Sequence, residues 1–211
     1  TLVTGWTYDA EGRVTKTTYP DGSKTSTSTV YNKIGKPIET SDQLGRVTKY
    51  EYDALGRATK TTYPDGTSEL TTYDAVGRRA TSVDRAGRVT TFGYDKVGRL
   101  VSTKHPDGTT TGSAYDDAGR MVSSTNEVGH TTVYGYDAAG RRTSVTDGLG
   151  NVTKMAYDAA GQMESMTDAL GHVTKYAYDG AGRQTKMTYA DGTFEDTGYD
   201  VGGNRTSRKD Q

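Results

Sequence analysis

A tyrosine returns along this chain at a fixed stride, and that stride limits the fold more than any other feature. It stands at Tyr8, Tyr31, Tyr52, Tyr73, Tyr94, Tyr115, Tyr136, Tyr157, Tyr178 and Tyr199, with a first interval of 23 residues and eight further intervals of 21. The next residue is Asp at Asp9, Asp53, Asp74, Asp95, Asp116, Asp137, Asp158, Asp179 and Asp200, and Asn at Asn32. Four residues after each tyrosine comes a glycine: Gly12, Gly35, Gly56, Gly77, Gly98, Gly119, Gly140, Gly161, Gly182 and Gly203. Arginine usually follows, as Arg13, Arg57, Arg78, Arg99, Arg120, Arg141 and Arg183. A constant period of this length marks a repeat architecture, in which each unit buries surface only against its neighbours.

A second glycine lies fourteen residues after the repeat tyrosine, from Gly22 and Gly45 through Gly171 and Gly192. It comes in two flavours. YPDG 19–22, YPDG 63–66, HPDG 105–108 and YADG 189–192 form one; DQLG 42–45, DRAG 84–87, NEVG 126–129, DGLG 147–150 and DALG 168–171 form the other. In the first flavour Pro pre-sets its own φ, Asp bonds nearby backbone and Gly accepts positive φ. Between the two glycine-marked turns lie runs rich in Thr, Val and Tyr, such as VTKYEYD 47–53 and RATKTTY 57–63. These favour strands, and no stretch holds a helical period. Each repeat therefore reads as strand, turn, strand, turn, and residues 1–211 as a single array of about ten repeats. The predicted fold class is all-β: tandem hairpins forming a long curved or spiralling antiparallel sheet. About twenty strands at ~4.8 Å spacing would run on the order of 90 Å, too long for a twisted sheet to stay flat.

Residues two apart share a face of a strand. Two residues before the repeat tyrosine stands a second aromatic at Trp6, Tyr50, Phe92, Tyr134 and Tyr176, Met at Met155, and Thr or Ser at Thr29, Thr71, Ser113 and Thr197. Stacked repeats would thus build a ladder of rings, expected to supply much of the cohesion at about 0.5–1.5 kcal/mol per aromatic pair.

The chain needs such a device. Leu, Ile, Val and Phe together number only 27 of 211 residues, a level at which disorder becomes a serious reading. The net charge of −1 and the 16 tyrosines argue against disorder, since there is little self-repulsion and much ring surface to bury. No basic footprint for nucleic acid is present, cysteine is absent, and no apolar run is long enough to span a membrane. The opening TLVTGWTYD lacks the basic and apolar regions of a signal peptide, so an export address is expected outside this segment.

Chemistry has few candidates. The recurrent Asp suits a turn cap far better than a catalytic carboxylate or metal ligand. The Arg after each glycine would pair with a neighbouring repeat's Asp or form a solvated face. His130 and His172 share a turn position otherwise held by Arg46, Arg88 and Asn151, and His105 replaces a tyrosine. Zinc would need three or four convergent ligands, so no metal site and no cofactor are expected. DGLGN 147–151 lacks the spacing of a calcium loop. Catalysis needs a unique constellation, and nearly every polar residue here recurs. The chain therefore reads as a structural scaffold and not an enzyme. The rival reading is a binding module, with Trp6, Tyr50, Phe92, Tyr134 and Tyr176 as contacts for carbohydrate or a cell-surface polymer.

The ten units YDAEGR, YNKIGK, YDALGR, YDAVGR, YDKVGR, YDDAGR, YDAAGR, YDAAGQ, YDGAGR and YDVGGN resemble Rhs/YD repeats over essentially the whole chain. Repeats of this family occur in bacterial Rhs polymorphic toxins, wall-associated exported proteins, Tc toxin shell subunits and animal teneurins. The resemblance implies a sheet that spirals into a hollow cocoon enclosing a C-terminal toxin domain. It implies secretion or surface display as part of a larger exported protein, with further YD repeats, an Rhs core region and a toxin domain as partners. Family shells usually carry more than ten repeats and are closed by a core-associated region with a self-cleaving aspartyl protease; neither that region nor a toxin domain is evident here. The array opens within one hairpin and stops within another, which is expected of an excerpt from a larger shell.

Overall fold

A computed structural model describes residues 3–20 and 25–211. Asp21 and Gly22 of the first Pro-Asp-Gly turn therefore lie outside the described residues. The chain forms two compact units, Thr1–Thr109 and Thr110–Gln211. The described residues hold twenty strands and no helix. Unit 1 runs from β1 (Gly5–Tyr8) to β10 (Leu100–Lys104), and unit 2 from β11 (Thr110–Tyr115) to β20 (Arg205–Asp210). Within each unit every strand pairs antiparallel with the next in sequence, giving the predicted all-β meander of hairpins.

The third repeat shows how the sequence sets the register. Its hairpin joins β5 (Val47–Tyr52) to β6 (Ala58–Thr62). Tyr50 faces Thr61 and Glu51 faces Lys60, but Tyr52 then faces Ala58, so Thr59 is an extra residue and the strand is bulged. A bulge bends its strand and adds twist. The same slip recurs before every described repeat tyrosine within the two units. On its other side β6 meets β7 (Ser68–Tyr73) over only three residue pairs, Lys60 with Leu70, Thr61 with Glu69 and Thr62 with Ser68. The bulged end of β6 is thus left without a ladder partner on the β7 side.

Among the described residues no side chain is fully buried. Cohesion comes from cross-strand pairs on two unlike faces instead of a core. In β5, Thr48, Tyr50 and Tyr52 alternate with Lys49 and Glu51, whose charges meet Glu39 at 3.9 Å and Lys60 at 3.3 Å. One face of the sheet is therefore aromatic and threonine-rich, and the other is charged and small.

Candidate functional site

The repeat motif folds into one turn held by its own polar groups. In the seventh repeat, Asp137 N–H donates to the Arg141 carbonyl at 3.0 Å and Gly140 N–H donates to the Asp137 carbonyl at 3.0 Å. Gly140 has φ of 83°, a left-handed backbone that side chains with a Cβ resist. This is a four-residue hairpin turn with a left-handed glycine at its end. The Asp137 carboxylate accepts from Arg141 N–H at 2.9 Å and from Arg141 Nε at 2.7 Å. Asp9, Asp53, Asp74, Asp95, Asp116 and Asp179 hold their Arg in the same way, with Nε–Oδ2 distances of 2.6–2.7 Å. Asp158 accepts from Gln162 N–H at 2.8 Å.

The arginine reaches forward as well as back. Arg141 Nη1 donates to the carbonyl of Asp158 at 3.2 Å, and its guanidinium lies 4.8 Å over the ring of Tyr157, both in the following repeat. Tyr157 answers by donating its hydroxyl to the Arg142 carbonyl at 2.8 Å. That carbonyl belongs to the bulged strand end that has no ladder partner on this side. The hydroxyl thus continues the pairing where the strands diverge, and leaves no stranded acceptor. Arg78, Arg120 and Arg183 make the same forward bond to Asp95, Asp137 and Asp200 at 3.0–3.1 Å. Guanidinium over ring recurs for Arg13 and Tyr31, Arg57 and Tyr73, Arg78 and Tyr94, Arg120 and Tyr136, and Arg183 and Tyr199, at 4.3–4.9 Å. Tyr52, Tyr73, Tyr136, Tyr178 and Tyr199 donate back at 2.7–3.0 Å. The Arg therefore pairs with its own Asp carboxylate and with its neighbour's Asp carbonyl. Guanidinium on ring thus recurs from repeat to repeat, contributing about 0.5–1 kcal/mol per exposed pair.

The second turn has the same backbone in both flavours. Tyr63 N–H donates to the Thr67 carbonyl and Gly66 N–H to the Tyr63 carbonyl, each at 2.9 Å, as Asp42 and Gly45 do at 3.1 and 3.0 Å. Only the capping carboxylate moves. Asp42 caps from the first turn position, bonding Leu44 and Arg46 N–H; Asp65 caps from the third, bonding Thr67 N–H and Oγ1.

The remaining candidates are dispersed. Trp6 and Tyr8 in β1 are 55% and 59% exposed. Tyr50 bonds Thr40 Oγ1 at 3.2 Å, Phe92 and Tyr134 lie under Arg79 and Arg142, and Tyr176 faces Met187 across the hairpin. His172 Nδ1 meets Asp168 at 2.9 Å, while His130 and His105 occupy other turns. Among the described residues no three His, Asp or Glu side chains converge as a metal site would require.

Turn carboxylates such as Asp137, Asp53 and Asp179 are held below the ordinary carboxylate range. Arg141 lowers the Asp137 pKa, first through its backbone N–H and then through its guanidinium; Asp53 and Asp179 are lowered chiefly by the backbone N–H of Arg57 and Arg183. A carboxyl lowered on folding stabilises the fold above its unfolded pKa and loses that effect as pH falls through the lowered value. Stability is therefore expected to hold from neutrality down to about pH 5 and to fall below about pH 4. Denaturation midpoints across that range check this; a midpoint that rises on acidification contradicts it.

Repeat eight lacks the clamp. Gln162 replaces Arg, and among the described residues no guanidinium covers Tyr178, although the Tyr178 hydroxyl still reaches the Met163 carbonyl at 3.0 Å. Gln162→Arg should supply the missing stack and forward bond, stabilising the chain by about 0.5–1 kcal/mol. Urea unfolding of the two proteins would register the shift, and an unchanged or lower midpoint counts against the clamp.

A family model described as RHS Repeat matches residues 1–24, 31–68, 73–110, 115–152 and 157–193. No curated protein matches the chain. A chain in the crystal structure of TcdB2-TccC3 superposes with a TM-score of 0.52 at 18% identity, covering 99% of this chain and 14% of that one. A chain of a Photorhabdus luminescens Tc holotoxin pore matches at 16% identity and TM-score 0.44, again over 99% and 14%. The first likeness supports the fold; this chain spans 14% of the length of either match.

Proposed function

Because this chain belongs to the RHS repeat family, we propose that it is a stretch of structural wall in a larger exported shell, and that the shell encloses a toxin or other cargo of the same protein. The observation that carries the reading is the clamp, repeated in one sense from repeat to repeat. It resists separation of neighbours without gathering unlike groups at one point, as catalysis requires. The same Asp–Arg pair recurs in seven turns, which supports a non-enzymatic role. In this proposal the framework residues from Tyr8 to Arg183 are structural, the whole chain is one array, and its partners are further repeats, a core region and the cargo domain. The fold of TcdB2-TccC3 supports the architectural part of the proposal.

The test uses the full polypeptide that carries the array. Electron microscopy should show a hollow particle, and limited proteolysis should spare an enclosed segment. Arg120→Ala with Arg141→Ala should make that segment cleavable at a lower protease dose. A solid or extended particle, or a segment equally sensitive in both proteins, overturns the proposal.

A further inference from the structure

Within unit 1 the Tyr-Asp turns follow one another along one rim of the meander, and the residue before each turn glycine forms a tip. At four consecutive tips that residue is Ile34, Leu55, Val76 and Val97, each 65–78% exposed. A Cβ on Gly56 would stand 3.4 Å from Ile34 Cδ1, so neighbouring turns on this rim are close. In unit 2 the same position holds Ala118, Ala139, Ala160 and Ala181. There the aliphatic row lies on the second-turn rim instead, at Val128, Leu149 and Leu170, 74–81% exposed. These turns are close as well, since a Cβ on Gly148 would stand 2.5 Å from His130 Cβ.

Exposed aliphatics scattered singly need no explanation, but rows of them at one per repeat mark an interaction surface. Backbone polarity does not keep these tips from a dry contact. The N–H of each of the seven donates to the Asp or Asn that opens its turn, at 2.9–3.1 Å. A tip whose donor is already satisfied loses little when water leaves.

The two rows differ in charge. On the unit 1 rim Asp53, Asp74 and Asp95 each pair with the Arg of their own turn, so Lys33, Lys36 and Lys96 leave that rim basic. On the unit 2 rim Asp147 is answered by Asn151, which carries no charge, and Asp168 by the imidazole of His172, so that rim is acidic. An anionic lipid surface would suit the first rim and leave the second unexplained. Each rim instead complements the other. Both are aliphatic at the tip, both repeat every two strands, about 10 Å apart, and their charges are opposite. Like rims repel, so the charge selects the pairing of unlike ones.

We propose that the first-turn rim of unit 1 docks on the second-turn rim of unit 2 in a second copy of this chain. The four tips of one rim leave gaps for the three tips of the other, and Lys33, Lys36 and Lys96 face Asp147 and Asp168. The contact is heterologous, since each copy offers a different rim, so association continues head to tail rather than stopping at a pair. A strip one turn wide is smaller than a standard stable interface, which sets the dissociation constant on the order of 0.1 mM.

The experiment is sedimentation equilibrium of the whole chain from about 10 μM to about 1 mM. The mean mass should climb with concentration past two chains, and climb less at high salt. Leu55→Ala with Val76→Ala, or Leu149→Ala with Leu170→Ala, should each weaken association by about tenfold. Alanine stands at the equivalent tips Ala139 and Ala86, so both variants keep the fold. Mixed together, the two variants should form a complex that stops at two chains, because each retains the rim the other lacks. Leu44→Ala, on the second-turn rim of unit 1, leaves association unchanged. A chain that stays monomeric throughout, a mass that levels off at two, a paired variant that associates as the parent does, or a mixture no heavier than its components overturns the proposal. So does pelleting of the monomer with phosphatidylglycerol vesicles in place of self-association. The wall reading is unaffected by any of these, because no clamp residue is altered and its own test uses the full polypeptide.

Discussion

Gly98→Val is expected to lower the melting temperature by roughly 5–20 °C, while Lys96→Ala in the same turn leaves it nearly unchanged. Gly98 has φ of 91° and donates its N–H to the Asp95 carbonyl at 3.1 Å. A β-branched residue is a poor fit to that backbone, at a cost of about 1–3 kcal/mol. The alternative, flipping the turn, breaks the cap that Asp95 makes to Val97 and Arg99 N–H at 3.0 and 2.9 Å. A domain of 60–100 residues shifts by about 4–8 °C per kcal/mol, and each unit here is near that size. Lys96 is exposed and occupies a position that Ala, Asp, Gly and Val fill in other repeats. Thermal melts followed by circular dichroism make the comparison. Equal melting temperatures would mean that the turn does not hold the repeat together.

Arg141→Ala should be the second large effect, because one side chain serves two repeats. Its loss removes the stack on Tyr157, worth about 0.5–1 kcal/mol, and the bond to the Asp158 carbonyl, worth about 1 kcal/mol. It also removes the Asp137 ion pair, whose carboxylate keeps the Arg141 N–H that the backbone supplies. Arg141→Lys should recover only part of the stability, since an ammonium cannot bridge carboxylate, carbonyl and ring in one plane. Tyr157→Phe removes the return bond to the Arg142 carbonyl at 2.8 Å. If the two side chains form one clamp, the double variant loses less than the sum of the single losses, a coupling that a double-mutant cycle measures. Strict additivity, or full rescue by lysine, would reduce the clamp to coincidental proximity.

What the sequence made legible is what the backbone demands of one residue type. The glycines at 12, 56, 98 and 140 all take positive φ, from 74° to 91°, and only glycine does so without strain. Strand type followed from Thr, Val and Tyr in alternation, and the Asp caps from turn chemistry. The partner of each arginine was not legible. It depends on the bulge after each Gly-Arg, which displaces the neighbouring repeat by an amount that no local pattern encodes. Nor did the two second-turn flavours announce a shared backbone, because Asp42 and Asp65 cap from different positions.

The clamp has a direction, since each guanidinium reaches toward the repeat that follows and each hydroxyl back toward the one before. Junctions that carry the clamp therefore present the same pair of chemical ends. A gene encoding such an array can gain or lose whole 21-residue modules without any compensating change elsewhere, because the new neighbours meet with matching ends. Half a module offers no such freedom, since it would set a capped second turn against a Tyr-Asp turn and leave both a guanidinium and a carbonyl unmatched. Growth of the gene is thus quantised, and the evolutionary unit of this protein is the two-strand repeat rather than the strand.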